Sequence, residues 1–200
     1  MVPVAVAAAA WLAYALPRSD FAWGVGEPAP FQPVPFSHDH HVGGLGIHCR
    51  YCHNSVERAA FAGMPPADTC MSCHSEIWTA AAVLAPIQRS LELGEPIAWS
   101  SVHRLPDFAF FHHGIHVSKG VGCETCHGRV DLMPRTVKVN TLSMEWCLDC
   151  HRNPEPHLRP PGAIYVMGWE PTAAEAGPDL RDDHHGIVVG QLTDCSTCHR

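Results

Sequence analysis

The protein has 200 residues, of which 46% are apolar and 16% are charged. Its ten cysteines and sixteen histidines are far above ordinary usage, so we expect a bound metal or cofactor, and not hydrophobic burial alone, to organise the fold. This composition excludes collagen-like and coiled-coil proteins. The net charge of -7 disfavours nucleic acid as a partner, because phosphate backbones are also negative.

The first predicted element is the uncharged run at residues 2–16 (VPVAVAAAAWLAYAL), which Pro17 and Arg18 end. A helix over the first 16 residues spans about 24 Å, less than the roughly 30 Å of a hydrocarbon layer, so its length fits a signal peptide as well as an anchor. Small residues at 7–10 allow close helix packing, and Trp11, Tyr14 and Trp23 suit a membrane interface. We expect residues 1–20 to be retained as a transmembrane anchor.

Proline-rich sequence follows the apolar run. Four prolines lie between residues 27 and 35, and they predict that residues 21–35 form a stiff spacer. Further along, residues 76–85 are predicted to form a short helix that Pro86 ends.

Every cysteine belongs to a C-x-x-C-H motif. Two thiols at this spacing add across the two vinyl groups of one haem, and the adjacent imidazole reaches the iron. Structural zinc and disulfides also use paired cysteines, but neither needs a histidine after every second cysteine. We therefore predict five covalently attached haem c groups, numbered in chain order, on the motifs Cys49/Cys52/His53, Cys70/Cys73/His74, Cys123/Cys126/His127, Cys147/Cys150/His151 and Cys195/Cys198/His199.

Five haems in 200 residues leave about 40 residues for each, close to the size at which a peptide cannot build a sufficient core. We therefore expect the haems to form the core. The predicted fold is mostly irregular, with short α-helices around each motif, little strand and one N-terminal membrane helix.

A second pattern, F-x-H-x-x-H-V, begins at Phe36 and again at Phe111, in each case shortly before two haem motifs. Histidines three residues apart lie on one side of a helical turn, so one turn can offer an imidazole to each of two irons. The repeat predicts four distal ligands, and it divides the chain into a first haem pair (36–92), a linker (93–110), a second haem pair (111–154) and a segment with the fifth haem (155–200). The predicted distal ligands are His38, His41, His113 and His116, whereas His40 and His112 are not expected to bind iron.

The F-x-H-x-x-H pattern followed by C-x-x-C-H motifs resembles the multihaem class III cytochromes. The longer run, including FSHDHH at 36–41, CMSCH at 70–74, VHRLPDF at 102–108 and MEWCLDCHRNP at 144–154, resembles the pentahaem cytochrome subunits of alternative complex III, a membrane quinol:electron-acceptor oxidoreductase. The resemblance covers residues 36–154 and the motif at Cys195, and it is loose between 155 and 194. It implies that the first histidine of each pair serves the first haem of that repeat and the second histidine serves the next haem.

The fifth haem still needs a distal ligand. In three-haem relatives this ligand precedes the preceding motif by a few residues, a place that Met144 holds here, three residues before Cys147. The alternatives are His185, which precedes Cys195 by ten residues just as His113 precedes Cys123, and His103 in the linker. A thioether ligand raises the reduction potential relative to a second imidazole.

These observations predict an electron-transfer subunit that relays electrons from quinol oxidation to a periplasmic or membrane acceptor, such as a cytochrome c. Other membrane subunits would be its partners, the haem domain would lie on the periplasmic side, and the chain would have no catalytic centre of its own. Two alternatives stay open: a free periplasmic multihaem carrier or quinol dehydrogenase, and a multihaem reductase with an open haem site. The surplus of distal candidates disfavours the reductase, and the apolar run disfavours the free carrier.

Overall fold

The computed structural model describes residues 2–19, 21–27, 30–172 and 186–199. Short helices alternate with irregular segments, and no strand occurs in these residues apart from an isolated antiparallel bridge between Val121 and Leu158. The mostly irregular, short-helical fold predicted from the sequence is confirmed. The α-helices are α1 (Val2–Ala15), α2 (Cys49–Cys52), α3 (Ala67–His74), α4 (Ala85–Leu93), α5 (His113–Ser118), α6 (Cys123–His127), α7 (Met144–Arg152), α8 (Val189–Leu192) and α9 (Cys195–Cys198).

Helix α1 contains 14 residues, and its side chains from Val4 onward are almost all exposed. Among the described residues, no helix has the length and apolar character needed to cross a membrane. The chain after α1 folds back on itself, because Trp23 Nε1 donates a 2.8 Å hydrogen bond to the Pro17 carbonyl. Lys138 then joins this segment to the second haem pair, since its Nζ donates to the Trp23 carbonyl and its own carbonyl accepts from Gly26 N.

The proline-rich segment packs against the rest of the protein. Val34 is buried in a small apolar cluster with Ala67 of α3 and Ile87 of α4. Gln32 pairs with Ser100 through both ends of its amide: Nε2 donates to the Ser100 carbonyl and Oε1 accepts from Ser100 N. This segment therefore joins α3 and α4 to the linker.

The helix predicted at residues 76–85 is wrong. Residues 76–80 form turns and bends, Ala82–Leu84 form a single 3-10 turn, and α4 begins only at Ala85, with Pro86 in its first turn. Proline is well suited to that position, because the first helical N–H groups have no intrahelical acceptor and its φ is already helical. Gly94, with φ of 65°, ends α4 in the left-handed conformation that favours glycine.

The two repeats meet at a π-helical turn, Asp39–Gly44, which follows the first ligand histidine of the first repeat. Asp39 N donates a 3.1 Å hydrogen bond to the Met133 carbonyl, and the Cα of Gly43 lies directly against the Asp131 backbone. A β-carbon at residue 43 would collide with the Asp131 carbonyl oxygen. The absence of a side chain at Gly43 is what allows this close approach.

Replacing Gly43 by alanine is therefore expected to destabilise the protein by about 1–3 kcal/mol, the usual cost of forcing atoms into a packed contact. Guanidinium unfolding of the haem-loaded protein measures this change. The matched control is Gly44→Ala, where the nearest atom to an added β-carbon is the Asp39 oxygen at 3.7 Å, an ordinary contact. Equal stability of the two variants would contradict the close packing of the repeats.

Candidate multihaem site

The C-x-x-C-H motifs coincide with short helices: α2, α6 and α9 begin at the first cysteine, whereas α3 and α7 begin three residues before it. A single helical turn places residues i and i+3 on the same side, so both thiols of each motif can face one ligand. Local caps support two of these turns, since His48 Nδ1 accepts from Arg50 N and Ser143 Oγ accepts from Trp146 N. None of the ten cysteines forms a disulfide.

Two motif thiols depart from the expectation that the haem attachment sites lie in the core. Cys73 of the second motif and Cys195 of the fifth are exposed, whereas the other motif thiols are partly buried. The position of the apolar cluster explains why Cys73 is exposed. The cluster covers Ala67 and Cys70 in the first half of α3, whereas Cys73 lies near the end of that helix. Cys73 and Cys195 stay predicted haem thiols, but at the surface of the polypeptide and not in its interior.

Thiols of different motifs lie beside one another. Cys49 of the first motif and Cys123 of the third lie close enough to affect each other, so that the pKa of Cys49 is lowered and that of Cys123 is raised. Burial raises the pKa of Cys52, and the neighbouring Cys70 of the second motif adds to this increase. The first motif is therefore adjacent to both the second and the third.

The fourth motif lies next to the third and the fifth. Burial, with smaller contributions from the nearby Cys150 and Cys147 thiols, raises the pKa of Cys126 to about 12. Burial also raises the pKa of Cys147, with a smaller contribution from Cys198 of the fifth motif. A hydrogen bond supports the same placement of the fourth motif beside the fifth. His151 Nδ1 donates to the carbonyl of Leu192, which lies just before α9, at 2.9 Å.

The histidine pairs of the two repeats have the same geometry. Phe36 stacks on His41 with a centroid separation of 4.4 Å and an interplanar angle of 27°, and the Phe111–His116 pair has the same two values. The same phenylalanines meet the first histidine of each pair edge to face, at 4.9 Å for His38 and 4.8 Å for His113. Each phenylalanine thus fixes the orientation of both imidazoles in its repeat.

Three of these histidines face a motif histidine across a constant gap. The ring centroids are 6.3 Å apart for His41 and His74, 6.4 Å for His113 and His127, and 6.2 Å for His116 and His151. An iron with an imidazole on each side, at metal–nitrogen distances of about 2 Å, holds two ring centroids about 6 Å apart. The residues therefore fit a haem iron at these three positions.

His38 is the fourth predicted distal ligand, and His53 is among its neighbours. Burial, with smaller contributions from the nearby imidazoles of His53 and His41, lowers the pKa of His38 to about 4. Burial likewise lowers the pKa of His127 to about 3. Both rings are therefore neutral at pH 7, which is the form that binds metal.

Backbone carbonyls accept from Nδ1 of most of the predicted ligands. Since a carbonyl only accepts, Nδ1 must carry the proton, and Nε2 keeps its lone pair for a metal. Such bonds also fix the orientation of a ligating ring. The bonds join His41 to Ser37 (2.8 Å), His53 to Gly63 (2.7 Å), His74 to Ile77 (3.3 Å), His113 to Ala60 (2.7 Å), His116 to His112 (2.9 Å), His151 to Leu192 (2.9 Å) and His199 to Phe108 (3.1 Å).

The three candidates for the fifth distal ligand are in different positions. Met144 is the first residue of α7 and is 65% exposed, while His185 lies outside the described residues. His103 packs edge to face against His127 of the third motif, with ring centroids 4.3 Å apart. In the described ranges, no group of three or more His, Cys, Asp or Glu side chains is arranged so that it could hold a metal ion.

The sequence analysis missed a buried ion pair beside the third motif. Arg159 is only 6% exposed, and its guanidinium lies 3.1 Å from the Glu124 carboxylate of α6. It also donates to the Val166 carbonyl at 2.6 Å, while Glu124 accepts from Gly168 N. This pair holds the segment after α7 against the third motif. The only sequence signal for this ion pair is Glu124 itself, a charged residue between the two cysteines of the third motif.

Comparison with known proteins agrees with this geometry. Residues 109–200 match the family model described as cytochrome c7 and related cytochrome c. The chain is also similar to the multihaem cytochrome c subunit of a menaquinone reductase from Nitratidesulfovibrio vulgaris, with 34% identity over 97 residues that cover 48% of this chain and 45% of the relative. The match thus spans less than half of that relative's length.

These similarities support the prediction that the chain is a multihaem cytochrome c, and they agree with the motifs and the paired imidazoles.

Proposed function

We propose that the protein is an electron-transfer subunit that carries five six-coordinate haem c groups and relays electrons from quinol oxidation to an acceptor. The observation that carries this proposal is the set of three imidazole pairs at 6.2–6.4 Å, each formed by a motif histidine and a repeat histidine. Ligands on both sides leave no open iron position at these haems. A bound haem supplies an iron that takes up and releases one electron.

We further propose that the haems follow the spatial order two, one, three, four, five. The electrostatic influence of Cys70 on Cys52, of Cys123 on Cys49, of Cys150 on Cys126, and of Cys198 on Cys147 places these thiols in the same neighbourhoods and supports this order. Since each thiol is bonded to the edge of its own haem, neighbouring thiols bring the edges of two macrocycles together. Tyr51 and Ser72 add a 2.6 Å hydrogen bond between the first and second motifs.

The test is the spin state of the haems in the purified protein. We expect five haems per chain, all low-spin in the ferric form, and no binding of carbon monoxide by the untreated reduced protein. A substantial high-spin fraction, or carbon monoxide binding at one haem, would overturn the relay and favour the multihaem reductase. Electron paramagnetic resonance and a haem assay per polypeptide give these two measurements.

The quinol-linked role rests on similarity. The relative described above is a subunit of a menaquinone reductase, and residues 36–154 resemble the pentahaem subunits of alternative complex III. On this basis we propose that the chain works with membrane subunits that bind quinol, with its haem domain on the periplasmic side. The second candidate function, a free periplasmic carrier or quinol dehydrogenase, has the same haem content but needs no membrane partners.

Deletion of residues 1–20 distinguishes the two. With a cleavable signal peptide in their place, the shortened chain is expected to become a soluble, fully haem-loaded protein that no longer co-purifies with membrane partners. The reason is that the deletion removes all of α1 and leaves every haem motif intact. Fractionation of membranes and periplasm measures the outcome. A full-length chain found free in the periplasm would instead support the free carrier.

A further inference from the structure

The linker at residues 93–110 carries no haem motif, yet two of its buried ring nitrogens have no hydrogen-bond partner among the described residues. These two atoms are Trp99 Nε1 and His103 Nε2. Buried polar groups are normally paired, because water is lost on burial and nothing else replaces it. Two such atoms four residues apart in one segment indicate a bound group that accepts hydrogen bonds.

Both atoms lie beside candidate haem positions. The His103 ring is 4.3 Å from the ring of His127, the motif histidine of the third haem. Trp99 packs against the same apolar cluster as Cys70 and Met71 of the second haem motif. The linker thus lies next to one haem of each repeat.

The surroundings of His103 favour an anion. Its neighbours include the Lys138 ammonium group and the His113 imidazole. A neutral imidazole carries one N–H, and a nearby carboxylate selects the tautomer in which that proton is on Nε2. Indole Nε1 is a donor only, so it also needs an acceptor. Each haem has two propionate carboxylates on the edge opposite the vinyl groups that the cysteines bind.

We propose that His103 Nε2 donates a hydrogen bond to a propionate of the third haem. This inference rests on the proposed haem content. His103 is then a positioning residue for the third haem and does not bind iron. A donor that offsets part of the propionate's negative charge makes an added electron on the nearby iron less unfavourable, so its removal lowers the reduction potential of the haem concerned.

The experiment uses the haem-loaded protein with His103→Phe, which keeps a ring and removes the donor, and His103→Gln, which restores an N–H. A redox titration of His103→Phe is expected to show one of five components shifted to lower potential, with all haems still low-spin. The propionate bending band in the resonance Raman spectrum is expected to shift with it, and His103→Gln is expected to restore both in part. The control is His157→Phe, a half-buried histidine outside the motifs, which is expected to change neither.

A high-spin haem in His103→Phe would overturn the inference, because it would make His103 an iron ligand. Unchanged potentials and an unchanged propionate band in His103→Phe would overturn it as well. Fewer than five haems or a high-spin haem in the unaltered protein would instead count against the proposed function.

Discussion

Replacing His41 by alanine is expected to convert one haem of the protein from low-spin to high-spin. His41 lies across a 6.3 Å gap from His74, so its loss is expected to open the iron of the second haem and to leave the ligands of the other haems in place. Carbon monoxide is then expected to bind with a stoichiometry of about one per chain, and the potential of that haem changes because one imidazole is lost. Ferric electron paramagnetic resonance and carbon monoxide titration measure these effects.

His40→Ala is the matched control, because His40 is the adjacent residue and is exposed. It is expected to leave all haems low-spin. Resonances of labelled histidine rings identify the haem that opens, since a high-spin iron shifts its remaining ligand strongly. If the His53 haem opens in His41→Ala, the ligand order within the repeat is exchanged. If no haem opens, His41 is not an iron ligand.

Replacing Met144 by alanine is expected to abolish a near-infrared charge-transfer band from ferric iron bound to a methionine sulfur. Met144 begins α7, and Cys147 in the same helix neighbours Cys198 of the fifth motif. Sulfur is a softer and less basic donor than imidazole, so it stabilises ferrous iron. The fifth haem is therefore expected to be among the highest in potential, and to fall in potential when Met144 is removed.

Met64→Ala provides the control, since Met64 is exposed and lies outside every haem motif. It is expected to retain the band. Absence of the band from the unaltered protein would mean that Met144 only packs, and that His185 or His103 binds the iron. Those two alternatives are separated by the spin state of His185→Ala and of the His103 variants described above.

Local patterns predicted much of the candidate site, because covalent haem attachment requires a fixed spacing of cysteines and histidine. The repeat at Phe36 and Phe111 likewise predicted paired imidazoles, and the two copies have matching ring geometry. The course of the chain between motifs was harder to predict. Pro86 starts a helix although it was expected to end one, because a proline fits either boundary and only packing decides.

Long-range partners could not be predicted from the sequence. The pairing of Arg159 with Glu124 and the contact of His103 with His127 depend on how distant segments pack, and neither leaves a periodic pattern. The exposure of Cys73 could not be predicted either, because the motif spacing is identical around partly buried and exposed thiols. In a chain with so few residues per haem, these contacts determine where the motifs lie relative to one another. The spacing within a motif determines only how its own haem is attached.

The proximity of Cys49 and Cys123 also bears on biogenesis. Two neighbouring thiols that carry no haem are a pair that an oxidant can join as a disulfide, and that bond would block two haem motifs at once. Attachment of haem to the earlier motif converts Cys49 to a thioether, which cannot form a disulfide. Attachment in the order of synthesis would therefore protect the later motif, and apoprotein exposed to an oxidant before maturation would lose its first and third haems together.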